Sequence, residues 1–112
     1  MFLRTQISNL VYDFMRKEVI SRLKKEGYNV LENAKLEDGT TVNFLGEKDG
    51  KKFAVYIFVR PTKKSVAEKE KHYAKFKDVF TDYVFAVPSH AKFKPEKRWE
   101  FNVIDIIGKS LK

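Results

Sequence analysis

The stretch Thr41–Arg60, TVNFLGEKDGKKFAVYIFVR, decides how this chain is read. Thr41 to Leu45 predicts a strand. Gly46 to Gly50, with Asp49-Gly50 at its end, predicts the loop of a β-hairpin, because Asp-Gly supplies the positive φ that such turns require. Lys52 to Val59 predicts the returning strand. Its apolar run is nearly unbroken, as expected for a central strand covered on both faces. Pro61 ends it, since proline has no N–H to give to a ladder.

Upstream, residues 7–26 predict an amphipathic helix. Ile7, Leu10, Val11 and Phe14 follow helical spacing, and Met15, Val19, Ile20 and Leu23 extend the stripe. Gly27 suits the left-handed stop beyond the last turn. Tyr28 to Glu32 predicts a strand, and Glu37-Asp38-Gly39 a turn. Downstream, Ser65-Val66-Ala67-Glu68 has the spacing of a capping box and predicts a helix from Val66 to about Asp78, with Val66, Tyr73, Phe76 and Phe80 facing the core. Tyr83 to Val87 predicts a short apolar strand closed by Pro88. A strand, a helix and a strand in succession imply a parallel pair with a right-handed crossover. Trp99 to Ile107 predicts a last strand, turning toward helix near Ile106. The expected order is α-β-β-β-α-β-β, an α/β domain with a central mixed sheet flanked by helices.

The 112 residues predict one domain over 1–112, long enough to bury about two-thirds of its unfolded surface. Hydrophobic residues at 43% and charged residues at 34% describe a folding chain, not a disordered one. The absence of cysteine excludes disulfides and thiolate zinc sites. No apolar run approaches a membrane span, and MFLRTQIS is too short and too polar to predict a signal peptide, so a cytoplasmic protein without a membrane partner is expected. Walker, dinucleotide-binding, nucleophile-elbow and EF-hand patterns are missing. His72 and His90 are the only histidines and lack metal or triad spacing.

The net charge of +8 is concentrated. Residues 48–77 hold ten basic and three acidic side chains, whereas residues 1–47 balance at seven of each. A polyanion would profit from that excess through counterion release; a lysine-rich solvated surface is the alternative. The candidate nucleic-acid-binding residues are Lys51, Lys52, Arg60, Lys63, Lys64, Lys69, Lys71, Lys75, Lys92, Lys94, Lys97 and Arg98. Arg60, Lys63 and Lys64 precede a helix N-terminus, whose free N–H groups suit phosphate. Lys92, Lys94, Lys97 and Arg98 form a second cluster, interleaved with Phe93 and Trp99.

The helix end RLKKEGYNV, the hairpin VNFLGEKDGKKFAVYIF and the strand DYVFAVP, in this order, resemble the core of the restriction-endonuclease-like PD-(D/E)XK superfamily, which includes archaeal Holliday-junction resolvases. The resemblance spans about residues 10–107. It implies that fold, nucleic acid (DNA or RNA) as partner, and a Mg²⁺ site built from acids on the first helix and the second and third strands, with a lysine two positions after the third-strand acid. The matching positions here are Glu18, Asn43, Tyr56 and Phe58. Three of the four carry neither carboxylate nor amine, so the resemblance implies a degenerate site with no catalytic residues, no metal and no cofactor unless Mg²⁺ finds another set of acids. Glu32 is the best candidate for a displaced ligand; Glu47 and Asp49 lie in the hairpin loop and Glu37 and Asp38 in a turn.

Three readings follow. The first is a catalytically inactive nuclease-fold protein that binds nucleic acid or serves in a nucleoprotein complex. The second is a structural subunit or homodimer module with Tyr56, Phe58 and Trp99 at the interface. The third is an active nuclease with migrated residues, including a metal-free RNase using tyrosine, histidine and lysine as the tRNA-splicing endonucleases do, although their His-Ser motif is missing after the hairpin. Tyr56 and Phe58 either stack bases in an emptied cleft or fill the core.

Overall fold

A computed structural model describes residues 2–103, with side chains from Ser8 onward. The order is α1 (Phe2–Lys25), β1 (Asn29–Lys35), β2 (Thr41–Lys48), β3 (Lys51–Ile57), α2 (Lys63–Lys75), β4 (Asp82–Pro88) and β5 (Arg98–Phe101). The chain is therefore α/β, with a five-stranded mixed sheet and two helices in the expected α-β-β-β-α-β-β order. The strands lie side by side as β1-β2-β3-β4-β5. The first three form an antiparallel meander, β3 pairs parallel with β4, and β4 parallel with β5.

Strand β3 is the middle of this sheet, and its side chains divide strictly by parity. Val55 and Ile57 enter a cluster with Val11, Met15, Val19 and Leu23 of α1. Ala54 and Tyr56 enter a second cluster with Val66 and Phe76 of α2 and with Phe80. Strand β4 repeats the division, Val84 and Ala86 toward α1, Phe85 and Val87 toward α2. Two helices on opposite faces explain why β3 reads as a continuous apolar run.

Several boundaries differ from expectation. The hairpin loop contracts to the two residues Asp49 and Gly50, with φ of 51° and 79°, so β2 runs on to Lys48. Asp-Gly alone satisfies the two-residue turn, and the preceding residues stay in the ladder. Helix α2 begins three residues early: Thr62 is its N-cap, and Thr62 and Ser65 exchange side-chain and backbone hydrogen bonds as the two ends of the box. A second hydroxyl-bearing residue three places upstream of Ser65 takes the capping position, leaving Glu68 outside the box. The buried stripe of α1 is the four-spaced Val11–Met15–Val19–Leu23, and Leu10 is 48% exposed. The side chain of Ile7, residues 104–107 of the expected last strand and the turn near Ile106 lie outside the described residues.

Helix α1 stops as expected. Gly27, at φ 90°, donates to the Lys24 carbonyl while Tyr28 donates to that of Leu23, so two end carbonyls are satisfied. No helix among the described residues is long and apolar enough to cross a membrane.

The position of the α2 cap yields a stability test. Thr62→Ala should cost about 1 kcal/mol in denaturant unfolding, whereas Glu68→Ala should stay within about 0.5 kcal/mol of the parent. The reverse ranking would contradict the cap described here.

Candidate nucleic-acid interface

Asn43 interrupts the sheet. The β2–β3 ladder runs from Lys48 opposite Lys51 to Phe44 opposite Val55 and stops there. Beyond it the Ile57 N–H donates 2.8 Å to Asn43 Oδ1, so a side-chain amide replaces a strand carbonyl. Asn43 Nδ2 points to the Tyr12 hydroxyl of α1 at 3.4 Å. Its neighbours Val42 and Leu45 both serve the α2-side cluster while Phe44 serves the α1 side, so the side-chain alternation of β2 breaks at Asn43. Across the sheet Asn33 adopts φ 51°, and the Asn33–Asn43 pair is missing from the β1–β2 register.

The four family positions do not converge. Asn43 faces α1. Tyr56 and Phe58 belong to the opposite face, Tyr56 at 1% exposure and Phe58 packed against Phe85 with ring centroids 5.7 Å apart. Glu18 is solvent-exposed on α1. On Asn43's side of the sheet β3 presents Phe53, Val55 and Ile57, with Val59 just beyond the strand. Glu32 lies against Arg16, which donates to both carboxylate oxygens at 2.6 and 3.0 Å. Among the described residues no three His, Asp or Glu side chains are grouped to hold a metal ion.

Tyr56 and His72 come together in a way that spacing gave no sign of. Tyr56 Oη lies 3.3 Å from His72 Nδ1, His72 Nε2 meets Thr40 Oγ1, and Thr40 donates to Asp38 Oδ1. Lys75 reaches the other Asp38 oxygen at 3.1 Å. One proton order satisfies every group: Tyr56 donates to Nδ1, Nε2–H to Thr40, and Thr40 to the carboxylate. Burial pushes the Tyr56 phenol up to about 12, which keeps its proton in place. The Thr40 hydroxyl and amide, with Lys75, hold the Asp38 carboxyl far below the usual range. Both His72 nitrogens are engaged, so the chain fastens the β1–β2 turn to α2 and leaves no free ring atom for acid–base work on a ligand.

The twelve basic candidates separate into groups. Lys75 is paired with Asp38, Lys97 with Asp82, and Lys94 and Arg98 with Glu100. Lys69 lies over the Tyr56 ring at 5.7 Å. Lys51 and Lys52 line the hairpin end beside Glu47 and Asp49. Lys71 is exposed on α2. Arg60, Lys63, Lys64 and Lys92 share with Lys51, Lys52, Lys69 and Lys71 the lack of an ion pair among the described residues, but differ in place. Arg60 and Lys92 line one cleft beyond the carboxyl ends of β3 and β4, and Lys63 and Lys64 open α2, whose first turn holds no acid. Arg60 is anchored by a 3.1 Å hydrogen bond to Ser8. Two lysines in a helix's first turn oppose its dipole, so helix stability does not account for them. Trp99 is not part of this edge: it stacks on Phe53 at 5.7 Å, under the Arg22 guanidinium at 4.1 Å, in the α1-side core.

A scan against protein-family models and a search of curated proteins each find no match.

Two measurements check this geometry. Asn43→Ala leaves the Ile57 N–H without its acceptor and should destabilise the fold by about 1–3 kcal/mol; a loss under about 0.5 kcal/mol would contradict the bridging role. Burial, with repulsion from Lys69 and Lys75, lowers the His72 pKa against the pull of Asp38. A base whose folded pKa is depressed is protonated more readily when unfolded, so its stabilising contribution is complete above about pH 6.5 and is lost as pH falls through that value. Unfolding at pH 7.5 and 5 should show this slope in the parent, and a shallower one in His72→Gln; equal slopes would refute it.

Proposed function

We propose that this chain is a nucleic-acid-binding protein built on a restriction-endonuclease-like core, without the metal-dependent cutting chemistry of that superfamily. The observation that carries the reading is the edge formed by Arg60, Lys63, Lys64 and Lys92: four cations from two segments, making no ion pair among the described residues, at the start of a helix. Such an edge neutralises adjacent backbone phosphates and gains from counterion release. The strand order and the parallel β3–β4 pair agree with a nuclease-like core. The apolar β3 side chains facing Asn43 supply no oxygen ligand, and hard divalent cations need several. Contact through backbone phosphates favours affinity over sequence reading, which suits a component of a nucleoprotein complex.

Labelled duplex, branched DNA and RNA distinguish the partners in an anisotropy titration. Binding to at least one should weaken steeply with salt, at about 0.9 in log K per log salt for each duplex phosphate neutralised, hence a slope near three to four. The variant carrying Arg60→Gln, Lys63→Gln, Lys64→Gln and Lys92→Gln should bind at least about tenfold more weakly near 50 mM salt. Lys75→Gln with Lys97→Gln should change affinity far less. No binding at low salt, or equal losses in both variants, would defeat the reading.

A further inference from the structure

The edge contains a cleft of about 430 Å³ lined by Val59, Arg60, Pro61, His90, Ala91 and Lys92. Its size falls within the range of small-molecule sites. Both of its walls are fixed. Val59 packs against the α1-side cluster, Pro61 is buried, and Arg60 is held by Ser8. On the other side the turn after β4 is closed by Ala91 donating to the Pro88 carbonyl at 3.1 Å, and Ser89 donates to that of Phe101 at 2.9 Å. His90 is thereby presented at the turn, exposed, with Lys92 beyond it.

The lining has two characters. Arg60 and Lys92 suit an anion, and Arg60 suits one whose oxygens can accept two parallel N–H donors. Val59, Pro61 and Ala91, with the flat His90 ring, suit an apolar or aromatic body. A bare phosphate would leave the apolar wall in contact with water, and an uncharged ring would leave the cations unused. A nucleotide carries both parts. A base paired inside a duplex has its faces covered and could not enter. We propose that this cleft takes one unpaired nucleotide, its phosphate at Arg60 and Lys92 and its base against Val59, Pro61 and His90. The inference rests on the nucleic-acid reading for its source of nucleotide and assigns the edge a preference for ends, overhangs or gaps over continuous duplex.

Two experiments on the full chain separate this proposal from that reading. Amide spectra are followed during titration with dAMP, with inorganic phosphate and with deoxyadenosine. The nucleotide should shift residues 59, 60 and 90–92 at a concentration about tenfold lower than either half requires. Phosphate alone matching the nucleotide would overturn the proposal. Anisotropy then compares a blunt duplex with the same duplex bearing one unpaired 5′-phosphorylated nucleotide. The overhang should bind about tenfold more tightly, an advantage lost in His90→Ala and in Lys92→Gln and kept in Lys77→Gln. Equal binding of both duplexes together with unshifted cleft amides would overturn the proposal and leave the nucleic-acid reading standing. Failure of every nucleic acid alongside cleft shifts with dAMP would uphold the cleft as a free-nucleotide site and remove that reading instead.

Discussion

Strand β3 must be covered on both faces, and the rest of the structure follows from how that is done. Val55 and Ile57 have to meet α1, and Ala54 and Tyr56 have to meet α2. The antiparallel meander supplies one neighbour for β3, and the crossover through α2 supplies the other as a parallel strand. Each buried aliphatic or aromatic side chain contributes about 1.5–3 kcal/mol relative to exposure, so a charge introduced at any of these positions would forfeit that and add a desolvation cost. A sheet packed in this way has exchanged room for ionised groups for cohesion.

Cations without an ion-pair partner among the described residues lie at the edges of this sheet. Beyond the carboxyl ends of β3 and β4 the chain leaves the sheet as Arg60-Pro61 and as Ser89-His90, and α2 begins. Arg60 there is held by one hydrogen bond to α1, and the four cations make no ion pair among the described residues. At the opposite edge the hairpin lysines sit among Glu47 and Asp49, and along β5 the basic residues are bound to Glu100 and Asp82. Sequence charge alone weighs these groups equally; pairing sets Lys75, Lys94, Lys97 and Arg98 apart, and place in the fold separates the rest.

The fold was readable where local chemistry has one solution. Asp49-Gly50 fixed the hairpin, Gly27 the end of α1, and the apolar run the central strand, although it ends at Ile57, two residues before the expected Val59. Cap position was less readable, because Thr62 and Ser65 both carry hydroxyls and Glu68 has capping-box spacing from Ser65. The site was legible only in part. That Arg60, Lys63 and Lys64 adjoin a helix start follows from order along the chain. That Lys92 joins them, while Lys94, Lys97 and Arg98 turn to Asp82 and Glu100, depends on a nine-residue connection whose path no periodicity encodes. The break in alternation at Asn43 likewise sets which face each β2 side chain takes, and strand periodicity alone gives no sign of it. The link from Tyr56 to His72 joins two elements sixteen residues apart and leaves no local signal.

The most direct measurement is where a polyanion touches this surface. Amide shift mapping with a short duplex near 50 mM salt should place the largest changes at residues 60–64 and 90–92, with β1 and the hairpin at 48–52 nearly unaffected. A footprint centred on the hairpin or on β1, with 60–64 silent, would contradict it.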